Sequence, residues 1–301
     1  HPPPDALPSP PMTATVIDGK AVAARVREAV AREVSELVAA TGRAPGLATV
    51  LVGDDPASAV YVAGKRKACA EVGIADLHRH LTSGVPEGQV ASLLDELNGD
   101  PEVSGILLQL PVPDSMDGAA LTGRIAPAKD VDGLTPISAG RLAQGVEGLR
   151  PCTPLGVIEL LDTYDVELEG AEAVVVGRSN LVGRPIAAML LERSATVTVC
   201  HSRTRDLAAV CARGDVLIAA VGVPGLIGAE HLKDGAVVID VGISRTDQGL
   251  RGDVDFEAAS ERARLITPVP GGVGPMTIAM LLRNTLSAFR LQALSLPPTA
   301  R

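Results

Sequence analysis

Tryptophan is absent from this chain, and two tyrosines and two phenylalanines are its only other aromatic residues. A tyrosine in a meaningful place therefore carries more weight than usual. Basic residues are outnumbered, 27 Lys and Arg against 36 Asp and Glu, for a formal net charge of -9. No compensating basic block appears, which argues against a nucleic-acid partner. No apolar run approaches the ~20 residues needed to cross a bilayer, so no membrane span is expected. The four cysteines, Cys69, Cys152, Cys200 and Cys211, lack paired metal-ligand spacing. They read as reduced thiols of a cytoplasmic protein without a metal site. The opening "HPPPDALPSPPM" has neither the basic nor the apolar region of a signal peptide. Its prolines read as a disordered leader or expression scar over residues 1–12, with Met12 a candidate start. No repeat of solenoid period is present.

What is there is ordinary for a globular protein: 46% hydrophobic and 21% charged residues over 301 positions, enough for two domains. "AVAARVREAVAREVSELVAA" (21–40) has apolar residues at helical spacing. "LATVLV" (47–52) is a short apolar run closed by Gly53, and reads as a buried strand. Helical spacing returns in 57–73, 88–98 and 117–126, and strand patterns occupy 75–81 and 104–111. This alternation predicts an α/β domain with a parallel sheet covered on both faces. Residues 127–154 are rich in Gly and Pro and read as irregular. A second strand–helix series follows. A helix is expected over 154–164, and strands in "AVVVG" (173–177), "TVTVC" (196–200), "VLIAAVG" (216–222) and "AVVIDVG" (236–242). Residues 267–277 read as too irregular for secondary structure, and 274–294 as a long final helix. The expected division is 13–150 with 279–297 for the first domain and 151–278 for the second.

The stretch "VVVGRSNLVGRP" (174–185) is a strand, a polar turn and a helix start. A helix N-terminus at the carboxyl edge of a parallel sheet presents free N–H groups, which suits a pyrophosphate. Gly177 permits the sharp exit and Gly183 a close helix–strand approach, while Pro185 suits a first helical turn. Ser179 stands where the dinucleotide fingerprint has its second glycine, so the loop is wider and the hydroxyl is available to a phosphate. About 20 residues on, an NAD site carries a carboxylate for the ribose. Here "TVTVC" runs into His201, Ser202 and Arg203. Arg178, Ser202 and Arg203 suit a 2′-phosphate instead, so the turn reads as an NADP site. Taken alone, it also reads as a tight turn with solvent-exposed arginines.

Tyr61 and Lys65 are four apart on a predicted helix and share a face. Locally, Lys65 also reads as a solvated charge within "KRK". Gln109 near a strand end reads either as a binding group or as an ordinary strand-end hydrogen bond. Asp132 in "DVDG" reads either as a site carboxylate or as an Asx turn with Gly133.

These segments together closely resemble the bifunctional methylenetetrahydrofolate dehydrogenase/cyclohydrolase family of the bacterial FolD type. The resemblance rests on "YVAGKRKACAEVGI", "GILLQLPVP", "PAKDVDGL", "PCTPLGVIELL", "VVVGRSNLVGRP", "TVTVCHSRT", "VVIDVGISR" and "ITPVPGGVGPMTIAMLL". They occur in the family's order and cover nearly everything from about residue 14 to 290.

The resemblance implies two α/β domains with a cleft between them, the second a Rossmann-like NADP-binding domain, and a homodimer formed through that domain. It implies tetrahydrofolate substrates, with Tyr61 stacking on the flat ring system. Lys65 would be the central catalytic residue, Gln109 its hydrogen-bond partner, and Asp132 a ligand for the polar edge of the pterin. Leu108, Leu110, Pro270, Gly271, Gly272, Val273 and Gly274 would complete the folate site. Gly177, Arg178, Ser179, Ser202, Arg203 and Ile243 would contact the dinucleotide. The implied activity is oxidation of 5,10-methylenetetrahydrofolate with NADP⁺, then hydrolysis to 10-formyltetrahydrofolate. The alternative within enzymes is a dehydrogenase lacking the cyclohydrolase step. More distant rivals are an amino-acid or shikimate-type dehydrogenase and a non-catalytic folate or nucleotide sensor. The set Tyr61, Lys65, Gln109 and Asp132 argues against the dehydrogenase rival, and the complete set of candidate catalytic groups argues against the sensor.

Overall fold

The computed structural model describes residues 14–247 and 249–295. The expected leader, residues 1–12, and the positions beyond 295 lie outside them. The described chain forms two compact units, one of Lys20–Ile158 with the chain from Pro275 on, the other of Glu159–Gly274 with the residues up to Gly19.

The chain opens with β1 (Thr15–Val16), α1 (Gly19–Thr41) and β2 (Gly46–Val52). Every residue of β2 is buried, as a strand covered on both faces requires. Next comes α2 (Pro56–Val72), whose limits follow from its sequence. The Asp55 carboxylate accepts the amide of Ser58 at 2.7 Å, Pro56 opens the first turn, and Gly73 closes the helix in the left-handed conformation. The predicted strand over 75–81 divides into β3 (Ala75–Asp76) and β4 (Arg79–Leu81), both parallel to β2 on the same side. After α3 (Glu87–Gly99), β5 (Gly105–Leu108) pairs with the other side of β2. The core between sheet and helices includes Val50, Leu94, Ile106 and Leu121.

Three expectations for this unit change. The helix predicted over 117–126 is only α4 (Gly118–Thr122), stopped at Gly123. The stretch 127–154 is not irregular throughout, since it holds α5 (Pro136–Ala143). There Thr135 caps the helix through the amide of Ser138 and Pro136 occupies the first turn, where proline starts a helix instead of breaking it. The helix expected from 154 starts earlier, as α6 (Cys152–Thr163).

The second unit contains β6 (Glu172–Val176), α7 (Gly183–Glu192), β7 (Thr196–Cys200), α8 (Leu207–Cys211), β8 (Val216–Ala219) and β9 (Val237–Asp240). The antiparallel pair β10 (Ser244–Thr246) and β11 (Gly249–Arg251), α9 (Phe256–Ser260) and β12 (Leu265–Ile266) follow. The sheet runs β1-β12-β9-β8-β6-β7, all parallel. The first strand thus joins this sheet beside β12. Chain direction reverses its lateral progress at β6, with β7 on one flank and β8 on the other. That is the strand-order switch at which Rossmann-like sheets bind ligands. The last helix, α10 (Val273–Ser295), begins inside the stretch read as irregular.

Candidate active site

Lys65 lies one helical turn beyond Tyr61 on α2. Tyr61 is 55% exposed, an aromatic face left open to solvent on a chain with few aromatics. Lys65 is not a solvated charge: its Nζ donates to Gln109 Oε1 at 2.9 Å, in a partly buried position. Gln109 follows β5 directly, where its own amide continues the ladder to the Val50 carbonyl. Its Nε2 donates to the Leu110 carbonyl at 2.7 Å, which fixes the orientation that turns Oε1 toward the lysine.

Burial lowers the pKa of the Lys65 ammonium, and the nearby charge of Asp132 works in the opposite direction. Burial raises that of the Asp132 carboxyl, while Lys65 pulls it down and Asp130 pushes it up. The two alternatives for "DVDG" separate cleanly. Asp130, not Asp132, makes the turn, accepting the amides of Leu134 at 3.2 Å and Thr135 at 2.8 Å. Asp132 is left to face Lys65 and the thiol of Cys152.

Two neighbours escaped the sequence reading. Cys152 is buried at the start of α6, and burial raises its thiol well above the usual range. Asn284 on α10 donates from Nδ2 to the carbonyls of Val131 and Arg150, each at 2.8 Å, and so fixes the backbone beside Asp132. The available signal was a polar residue inside the apolar run "MLLRNTLSAF". Leu108 is buried in the core, so its side chain is directed away from a ligand, whereas Leu110 is partly exposed.

The remaining candidates belong to the other unit. Gly177 has φ of 131°, and a Cβ there would meet the Ala220 carbonyl oxygen at 2.2 Å. A Cβ on Gly183 would meet the Gly177 carbonyl oxygen at 2.2 Å. Both confirm the tight strand–helix turn. Ser179 behaves differently from the expectation of a hydroxyl simply available to phosphate. Its Oγ accepts the amides of Val182 at 3.1 Å and Gly183 at 3.4 Å, leaving only its proton for a ligand. Arg178 follows β6 and Ser202–Arg203 follow β7, exposed at the same sheet edge. Register brings them together, because Val176 pairs with Cys200 and the Gly177 amide donates to the Cys200 carbonyl. No carboxylate side chain stands at residues 201–205. Cationic groups, a helix N-terminus and a turn bounded by two glycines fit a dinucleotide with an extra phosphate.

Ile243, 47% exposed, follows β9, and its Cδ1 lies 3.5 Å from where a Cβ on Gly274 would be. Pro270 is exposed and Gly271 has φ of 107°. Val273, at the start of α10, is buried, so of this group its side chain is the one withdrawn from the surface. Among the described residues, no cluster of His, Cys, Asp or Glu could hold a metal, and no helix is long and apolar enough to cross a membrane.

Comparison with known proteins bears on this arrangement. The sequence model for the tetrahydrofolate dehydrogenase/cyclohydrolase catalytic domain matches residues 17–132, and that for the NAD(P)-binding domain of the same enzymes matches 151–293. The chain is 69% identical over 282 residues to "Bifunctional protein FolD 2" of Frankia alni, covering 94% of this chain and 98% of the relative. Among solved structures, it is similar to the bifunctional FolD enzyme of Campylobacter jejuni (TM-score 0.90, 46% identity, 93% and 99% of the two chains). It is also similar to the Trypanosoma brucei methylenetetrahydrofolate dehydrogenase-cyclohydrolase solved with NADP and an inhibitor (TM-score 0.88, 40% identity, 93% and 98%).

Proposed function

The chain belongs to the tetrahydrofolate dehydrogenase/cyclohydrolase family, and on that premise we propose how its own residues divide the work. It is a bifunctional enzyme: it oxidises 5,10-methylenetetrahydrofolate to the methenyl form with NADP, and hydrolyses the methenyl form to 10-formyltetrahydrofolate. Curated relatives at 56–70% identity are named as bifunctional, which weighs against a dehydrogenase-only enzyme.

Gly177, Arg178, Ser179, Ser202, Arg203 and Ile243 would hold NADP, with Arg178, Ser202 and Arg203 directed to its 2′-phosphate. NADP, when bound, supplies the acceptor for the hydride. Tyr61 offers its face to the folate ring, Leu110 borders the same position, and Asp132 binds the polar edge of the pterin. By the family resemblance alone, Leu108, Pro270, Gly271, Gly272, Val273 and Gly274 would offer backbone to the folate. Folate nitrogens delocalise the methenyl cation themselves, so the protein mainly aligns the substrate for the first half-reaction.

The hydrolytic half needs a proton acceptor for the attacking water. An ordinary lysine, at about 10.4, holds its proton too tightly near neutrality. Burial lowers the pKa of Lys65, and a cationic substrate alongside lowers it further. Gln109 orients the amine without adding a negative charge that would raise its pKa. The 2.9 Å Lys65–Gln109 bond, beside the Asp132 carboxyl, is the observation that carries this reading.

The test is to assay both half-reactions side by side, with NADP⁺ and NAD⁺ in turn. A bifunctional enzyme keeps methenyl absorbance low during turnover, and its steady accumulation contradicts the cyclohydrolase assignment. Asp132 makes a separate prediction. Its charge raises the pKa of Lys65, so Asp132→Asn should shift the rising limb of the cyclohydrolase pH–rate profile to lower pH. A limb that stays put or moves up contradicts the coupling.

We infer too that two copies associate through the NADP-binding unit. β7 is the last strand of its sheet, and Val199 and Leu191 beside it are 39% and 66% exposed. Light scattering that returns the mass of one chain contradicts this. A cytoplasmic location agrees with four free cysteines, and a native disulfide would count against it.

A further inference from the structure

A buried carboxylate stands behind the strand-order switch, and no role above uses it. Asp253 is fully buried. Its Oδ2 accepts two successive amides, Val221 at 2.6 Å and Gly222 at 3.0 Å. These residues follow β8 at the strand-order switch, just beyond Ala220, whose carbonyl oxygen would meet a Cβ on Gly177 at 2.2 Å. Its Oδ1 is equally buried and has no hydrogen-bond partner among the described residues. A Cβ on Gly242, in the loop after β9, would lie 2.3 Å from that oxygen. One carboxylate thus abuts two of the loops that end strands at this edge.

The backbone holds the same segment at both sides. The amide of Ala220 donates to the Val176 carbonyl, and farther on Gly225 and Ile227 donate to the carbonyls of Gly252 and Asp253. Between those anchors, the amides of Val221 and Gly222 are held by Asp253. Asp240 caps the opposite side, accepting the amides of Gly242, Asp253 and Val254. Two buried carboxylates so close are not what stability alone selects. Burial pushes Asp240 up to about 6 against the pull of its hydrogen bonds, and the charge of Asp253 adds to the rise. Departures of this kind cluster where function is served.

We propose that Asp253 is a positioning residue for the cofactor: it occupies the paired amides of Val221 and Gly222 and sets the β8 bank of the dinucleotide crevice. The proposal rests on the NADP reading of this unit. It acts on the part of the cofactor common to NADP and NAD, unlike Arg178, which distinguishes them. Replacing the carboxylate with an apolar group frees the 221–222 segment while its backbone anchors remain.

The experiment compares wild type, Asp253→Leu and Asp253→Asn. KM for NADP⁺ and NAD⁺ is measured in the dehydrogenase reaction, and the cofactor-independent cyclohydrolase reaction is measured in parallel. Asp253→Leu should raise KM for both cofactors by the same factor, about tenfold or more, with the cyclohydrolase rate kept. Asp253→Asn retains an oxygen acceptor and should stay within about threefold of wild type. Unchanged KM in Asp253→Leu overturns the proposal, as does a rise for NADP⁺ alone. Equal loss in the Asn and Leu variants, or loss of cyclohydrolase activity with the dehydrogenase in both, also overturns it. Wild type that fails to oxidise substrate with either cofactor refutes the underlying functional reading instead.

Discussion

Lys65→Met should reduce cyclohydrolase turnover by roughly 10²–10⁴-fold, the usual effect of removing a positioned proton acceptor. The dehydrogenase should fall by about tenfold or less, equivalent to ~1.4 kcal/mol of transition-state stabilisation. The asymmetry follows from the chemistry. The hydrolytic step has to take a proton from water, and Met keeps the bulk of the lysine stem while removing the amine. The oxidation leaves a cation that the folate nitrogens stabilise, so loss of the amine affects chiefly alignment. The Lys65 amine is held by Gln109 at 2.9 Å, so the variant also leaves Oε1 without that donor. Gln109 remains tied to the Leu110 carbonyl, which limits the disturbance. Purified enzyme assayed separately on each half-reaction gives the comparison. Equal losses, with folate binding intact, contradict a proton-handling role.

Arg178→Ala should raise KM for NADP⁺ by roughly 10- to 100-fold, because a charge-assisted hydrogen bond to phosphate contributes about 1.5–3 kcal/mol. KM for NAD⁺ should change little. Arg178 is exposed at the end of β6, and Ser202 and Arg203 come from the neighbouring strand end. On the proposed reading the three would share the phosphate, and the remaining two would leave NADP⁺ weakly preferred in the variant. KM rising equally for both cofactors contradicts the 2′-phosphate contact. Because Asp253→Leu is expected to give that equal rise, the two variants separate recognition of the phosphate from shaping of the crevice.

Much of the fold was legible because parallel strands buried on both faces are written as unbroken apolar runs. "LATVLV", "AVVVG" and "VLIAAVG" mark β2, β6 and β8 without ambiguity. Short elements were not legible. A two-residue strand such as β1 has no periodicity, and its place beside β12 depends on pairing across some 250 residues. α5 was hidden by Thr135–Pro136, which reads as a loop unless the proline is placed in the first turn. In the site, the four-residue spacing of Tyr61 and Lys65 was readable, but the meeting of Lys65 with Gln109 was not. That contact depends on β5 pairing with β2, in whose continuation Gln109 joins Val50. The division of labour in "DVDG" needed coordinates, since either aspartate could have made the turn. Asn284 and Asp253 were missed for a shared reason. Each acts on backbone groups remote in sequence, so even where the residue itself stands out, as Asn284 does, nothing local names its partners.

On this mechanism the Lys65 amine gives up its proton below the pH of an ordinary lysine. Heteronuclear NMR of the isotope-labelled enzyme, with Lys65→Met used to assign the Lys65 signal, follows that one amine through its titration. A midpoint below about 10.4 is expected, falling further when the methenyl substrate or a cationic analogue binds. A midpoint at or above the ordinary value, unmoved by the ligand, would contradict it.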